Sequence, residues 1–108
     1  MFAEGKYNQR LEAICDVPKG KTVWWFDLTD MKRAKKTVGE VACIAGNVPV
    51  SLLCTATPEA VSAYCKDLMA SAGRDGGFIF STGAGMQGTK VENVRVMVEC
   101  GKKYGVYA

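Results

Sequence analysis

"GGFIFSTGAGM", residues 76–86, is the stretch on which the fold turns. A short apolar run, residues 77–80, passes directly into serine, threonine and glycine, as a buried strand does when it ends in a loop. In parallel α/β folds, ligands meet the loops that follow the carboxyl ends of the strands. The centre of this loop, Gly83-Ala84-Gly85, carries no nucleophile, acid, base or metal ligand. The Gly83-x-Gly85 spacing is a fragment of a phosphate loop, without the third glycine of a dinucleotide fingerprint or the Gly-Lys-Ser/Thr end of a P-loop. The start of the next helix still offers free N–H groups to an anion.

Two more runs read as strands. "TVWWF", 22–26, is β-branched and aromatic throughout, and "VACIA", 41–45, is continuously apolar; both suit a parallel sheet covered on two faces. Helical patterns alternate with them. "LTDMKRAKKTVG" places Met31, Ala34 and Val38 on one face, with Thr29 or Asp30 as cap and Gly39 as stop. "TPEAVSAYCKDLMASAG" is capped by Thr57, carries Pro58 in its first turn and aligns Val61, Tyr64, Cys65 and Leu68. "TKVENVRVMVECGKKYG" begins with a Thr89-x-x-Glu92 capping box, turns Val91, Val94 and Val98 to the core, and ends on Lys102, Lys103 and Gly105. Ahead of all these, residues 8–16 predict a helix with Asn8 as N-cap and Leu11, Ile14 and Cys15 on one face. The expected fold is α/β: one N-terminal helical segment (1–19), then three βα units with parallel strands and right-handed crossovers (20–108).

Composition narrows the chemistry. The 108 residues form one domain's worth of chain, 48% hydrophobic and 23% charged. A net charge of +3, with scattered lysines and arginines, gives no footprint for nucleic acid. The densest cluster, "KRAKK" at 32–36, reads as a solvated helix face. With no histidine, the commonest general base is missing, along with histidine-containing zinc sites. The five cysteines form no CxxC pair and read as reduced thiols of a cytoplasmic protein. No segment has the apolar length of a membrane span, and the first ten residues do not read as a signal peptide.

The candidate ligand-binding residues are those at the strand ends: Asp27, Asn47, Ser81 and Thr82. Asp27 is a base, a substrate anchor or part of the next helix cap. Asn47 either bonds a ligand or holds its own turn. Ser81 and Thr82 have no histidine to activate them, which excludes a serine-hydrolase reading. Trp24 and Trp25, adjacent on a strand, face opposite sides. No catalytic residue, metal ligand or cofactor is assigned.

"ACIAGNVPVSLLCTATPEAV", "GGFIFSTGAGM" and "KVENVRVMVECGKKYGVY" together resemble the C-terminal part of the uroporphyrinogen decarboxylase family. The features carrying the resemblance are Gly46-Asn47, Thr57-Pro58-Glu59-Ala60-Val61, Gly76-Gly77-Phe78-Ile79 and Glu92-Asn93-Val94. It covers roughly residues 20–107, and "FAEGKYNQRLE" at 2–12 is similar to a segment slightly earlier in the family. The resemblance implies the last three units of a (β/α)8 barrel, a fold that typically takes ~250 residues. It also implies one of two chemistries for a parent protein. The decarboxylases act on the acetate arms of a tetrapyrrole without a cofactor and usually carry histidine between two glycines of this loop. The related methyltransferases move a methyl group between a corrinoid and a thiol. They use zinc, bound by an upstream His-x-Cys pair and a cysteine in the same loop. Both point to position 84, which here is alanine. The sequence looks closest to members of unassigned activity, often linked to corrinoid demethylation.

The leading expectation is a piece of such a barrel, inactive alone, whose parent binds a tetrapyrrole or a corrinoid protein. The alternative is a stand-alone, self-associating binding or assembly module without catalysis. Either way the chain is expected not to be a monomer. Its open sheet edges and inner face call for the missing barrel portion or for further copies.

Overall fold

Sequence order becomes spatial order in the sheet. The computed structural model describes residues 1–106, and in it four strands pair in parallel in the order in which they occur. The elements run β1 (Phe2–Ala3), a 3-10 turn (Glu12–Cys15), β2 (Val23–Phe26), α1 (Met31–Thr37), a second 3-10 turn (Val38–Glu40) and β3 (Cys43–Val48). Then follow α2 (Val50–Thr55), α3 (Pro58–Ala72), β4 (Phe78–Thr82) and α4 (Val91–Tyr104). This is an α/β fold with the alternation of part of a (β/α)8 barrel. The end of the family-like segment, Tyr107, lies outside the described residues.

One face of the sheet carries the core. Trp24, Phe26, Ile44 and Val48 are buried there against Ala34 and Val38 of the α1 region, Leu53 of α2, Val61, Cys65 and Leu68 of α3, and Met97 of α4. The caps of α1 and α3 form as the sequence predicts. Asp30 accepts from the Lys32 N–H at 2.9 Å, and Thr57 Oγ1 accepts from the Ala60 N–H at 3.2 Å. The opposite face is different. The register aligns Phe2, Trp25, Ala45 and Ile79 in one row across all four strands. The outer members of that row, Phe2 and Ile79, are 43% and 50% exposed, while Ala45 is 5% exposed. Val23, also expected inside, is exposed too. The described residues therefore cover only one face of the sheet.

Five expectations are corrected. The sheet has a fourth strand, β1, too short for any periodicity to reveal; its pairing is made by backbone, with the Trp25 N–H donating to Met1 O at 2.8 Å. Residues 8–16 form turns and one 3-10 turn in place of a helix. A nine-residue helix has little intrinsic stability, and Asn8 is used otherwise: its Oδ1 accepts from the Asp30 N–H at 2.7 Å. The α4 capping box does not form, because the N-cap is Lys90 and the Thr89 hydroxyl donates to Met86 O at 3.1 Å. The phase of α4 also differs. Asn93, Met97 and Cys100 make its buried stripe, while Val91 and Val98 face outward. Tyr64 likewise sits at the edge of the α3 stripe, 37% exposed.

Candidate site at the strand ends

Asp27, Asn47, Ser81 and Thr82 all lie at the carboxyl ends of β2, β3 and β4, but two separate environments receive them. Asp27 follows β2 directly, and its Oδ2 accepts from the Gly5 N–H at 3.0 Å. This bond, with Thr29 Oγ1 accepting from the Tyr7 N–H at 2.9 Å, ties the segment after β1 to the turn after β2. Asn47 belongs to β3 itself, not to the following loop, and is 3% exposed. Its Nδ2 donates to Thr29 O at 2.6 Å. Asp27 and Asn47 both line a cavity of about 470 Å³ that opens beside the β2–α1 turn against α3. Lys6, Lys32, Tyr64 and Asp67 are among its other polar lining residues. Partial burial, and then Cys65, Asp30 and Asp67, push the Tyr64 phenol above its ordinary value, so it presents a neutral hydroxyl.

Ser81 and Thr82 do not line this cavity. Their polar groups are used within the β4 turn: Ser81 Oγ donates to Thr82 O at 3.0 Å and Thr82 Oγ1 to Ala84 O at 2.7 Å. Trp25 explains why β4 is held so firmly. Its indole crosses from β2 to β4 on the bare face, and Nε1 donates to Thr82 O at 2.7 Å. The small Ala45 lies between them in the register, leaving room for the ring.

Two glycines let the strand ends approach. Gly46 has φ +127°, and a Cβ there would stand 2.6 Å from Phe26 O. A Cβ on Gly83 would stand 2.6 Å from Asp27 O, although Gly83 belongs to the β4 loop. The glycine loop is therefore folded across the sheet towards the end of β2, and Ala84 is held in a turn already bonded to Thr82. Chemically, the arrangement offers hydrogen-bond donors and acceptors and charges of both signs around Asp27 and Asn47. It offers no activated nucleophile.

Sequence reading missed Lys6, Lys32 and Asp67, which reach the cavity from a loop and two helices. Only the strand-end rule was available to locate a site, and it says nothing about helix residues.

The cysteines separate by depth. Cys15, Cys43 and Cys54 are half-buried, while Cys65 and Cys100 are buried between α3 and α4, all five as free thiols. Burial first, and Cys100 second, push the Cys65 thiol up to about 12. A raised pKa in the folded chain means that this thiol's contribution to stability is complete below the unfolded value near 9. It is lost as pH climbs from there towards 12. Urea midpoints should therefore fall between these pH values, and less steeply in a Cys65→Val variant. An equal slope in both would contradict the assignment. Thiol counting with an exchange reagent should likewise find Cys65 and Cys100 unreactive until the chain unfolds.

The family model "Uroporphyrinogen decarboxylase (URO-D)" matches residues 1–104. Proteins named uroporphyrinogen decarboxylase from Coxiella burnetii (the Dugway and Nine Mile phase I strains) are 30% identical over 79 residues. The match takes in 72% of this chain but 22% of each relative. No helix among the described residues is long and apolar enough to cross a membrane. The parallel sheet with its ordered βα units, and the family match over nearly the whole chain, place it in the uroporphyrinogen decarboxylase family, of whose curated relatives it spans about a fifth of the length.

Proposed function

We propose that this chain supplies one wall of a barrel that acts on the carboxylate side chains of a tetrapyrrole, and that the 108 residues do not catalyse that reaction by themselves. Family membership and the curated relatives' name support the substrate class. The observation that carries the second half is the β4 loop. Gly83-Ala84-Gly85 sits at the strand ends with only a methyl group at its centre, and the hydroxyls beside it are spent on backbone carbonyls. Decarboxylation needs a group that delivers a proton to the carbon losing CO2. Asp27 and Asn47 are the polar residues at the strand ends that line a cavity, and in this reading they orient a substrate carboxylate or its counter-charge without serving as that proton donor. Corrinoid-dependent methyl transfer is the second reading within the family. Alanine at position 84 also removes the loop thiolate that it would use.

Incubating the purified chain with uroporphyrinogen and separating the products by carboxylate number tests this directly. No product with fewer carboxylates is expected, and measurable turnover would overturn the proposal. Metal analysis tests the second reading. With no histidine in the chain and no cysteine between Cys65 and Cys100, no stoichiometric zinc is expected. Tight one-to-one zinc would restore the methyl-transfer reading.

A further inference from the structure

We propose that Trp25 is a positioning residue of the strand-end site: its indole N–H latches the end of β4 over β3 and so fixes where the Gly83-Ala84-Gly85 turn sits. This goes beyond the tetrapyrrole reading and holds whichever ligand meets that turn. Every contact it uses lies between Phe2 and Ala84.

Register shows how far the latch reaches. Trp25 is level with Ala45 on β3, and Ala45 with Ile79 on β4. Thr82 lies three residues further along β4 and two strands away from Trp25. In a flat sheet that separation is about 10 Å across the strands and about 10 Å along them, more than an indole spans. The Nε1–O distance is nevertheless 2.7 Å. The end of β4 therefore curls back over β3 towards β2. Gly83 reports the same approach, since a Cβ there would stand 2.6 Å from Asp27 O.

Small residues permit the curl, and one bond fastens it to β2. Beneath the indole and the turn, Ala45 offers a single methyl group and Gly46 no side chain. Phe2 backs the indole, with ring centroids 4.4 Å apart. Beyond the latch, Thr82 Oγ1 donates to Ala84 O at 2.7 Å, Ser81 Oγ to Thr82 O at 3.0 Å, and the Gly83 N–H to Val48 O at 3.0 Å. Those bonds tie the turn to itself and to β3. Of the four, the indole bond alone reaches β2. Thr82 is 9% exposed, so water replaces a lost donor poorly. A turn held in one arrangement presents Ala84 to a ligand in one place, as a binding wall requires.

Trp24 provides a control within the chain. It carries the same side chain on the other face of β2, 7% exposed, and its Nε1 has no partner among the described residues. Both tryptophans lie in residues 1–42. Joining a synthetic 1–42 segment to an expressed, isotope-labelled 43–108 segment at Cys43 therefore gives the whole chain with one side chain altered at will. β-(3-Benzothienyl)alanine keeps the shape of tryptophan and puts sulfur where the N–H was. At position 25 it removes the latch; at position 24 it removes an N–H that bonds nothing. Backbone order parameters at Gly83, Ala84 and Gly85 then read the turn in the folded state, so a change in overall stability alone does not move them. Values of about 0.85 are expected in the natural chain and in the chain altered at 24, falling below about 0.6 in the chain altered at 25. A turn that stays rigid after the change at 25 would show that packing holds it, and would overturn the proposal. So would a turn already below about 0.6 in the natural chain, or one loosened as much by the change at 24.

Discussion

Gly46→Val is expected to remove most of the chain's stability, and Gly46→Ala a large part of it. Gly46 lies inside β3 with φ +127°, a region that residues with a Cβ rarely enter. Holding such a residue there costs on the order of 1–3 kcal/mol. The second cost is contact. The added Cβ would lie 2.6 Å from Phe26 O and 3.6 Å from Phe26 N, and both atoms belong to the neighbouring strand's backbone, not to a side chain that can swing away. Forcing β2 and β3 apart disturbs the row of Trp24, Phe26, Ile44 and Val48 on the core face, and over-packing of this kind costs roughly another 1–3 kcal/mol. Valine adds two methyls to the same clash. A domain of this size has about 5–15 kcal/mol in all. Gly85→Ala is the control, since its Cβ would meet nothing within 4 Å, and it should stay within about 0.5 kcal/mol of the parent chain. Urea unfolding of the three variants separates the outcomes. A Gly46→Ala midpoint equal to that of the parent would show that β2 and β3 are not packed as closely as described.

What the sequence disclosed follows from how local each feature is. The α3 helix, with Thr57 before it and Gly73 after it, was legible because caps, proline and stripe lie within one stretch of chain. So were the Asp30 cap and the parallel order of β2, β3 and β4, which alternation and crossover rules determine between them. β1 was not legible: two residues have no period, and their pairing depends on Trp25 and Met1 meeting across the fold. Its absence from the reading turned a four-stranded sheet into a three-stranded one. The candidate site split for the same reason. Asp27 and Asn47 end adjacent strands, so they share the β2–α1 turn. β4 lies one strand further on, and the Trp25 indole and the Thr82 hydroxyl bond occupy its end. No spacing in the sequence announces that an indole on one strand will bond a carbonyl two strands away. Within α4, valines at 91, 94 and 98 looked like the core stripe because they are apolar. The stripe that is buried contains an asparagine.

That asparagine carries the second large effect. Asn93 is fully buried, and its Nδ2 donates to Leu53 O at 3.0 Å and to Ala56 O at 2.9 Å. Both carbonyls belong to the end of α2, where a helix has no further N–H of its own to offer. One carboxamide therefore supplies two donors and pins α2 onto α4, beside the Lys90 N–H that also donates to Leu53 O. Asn93→Leu keeps the branched shape and the number of heavy atoms, in a somewhat bulkier side chain, and removes both donors. Leaving buried acceptors unpaired costs about 1–3 kcal/mol each. The Lys90 bond softens the loss at Leu53, so a total of roughly 2–4 kcal/mol is expected. Asn93→Asp should be worse near neutral pH, because an ionised carboxylate donates nothing and would face two carbonyl oxygens in a buried place. It should also acquire a pH dependence that the leucine variant lacks. Burial raises the carboxyl's pKa in the folded chain above its unfolded value near 3.9, so the protonated group stabilises fully below about pH 4 and the gain disappears as pH rises. Urea unfolding of both variants at pH 4 and pH 7 distinguishes a loss of donors from a loss of packing. Asn93→Asp should recover part of its deficit at the lower pH relative to Asn93→Leu. If the two variants keep the same difference at both pH values, the two bonds to Leu53 and Ala56 do not hold α2 in place, and the asparagine in the Glu92-Asn93-Val94 sequence has another reason to be there.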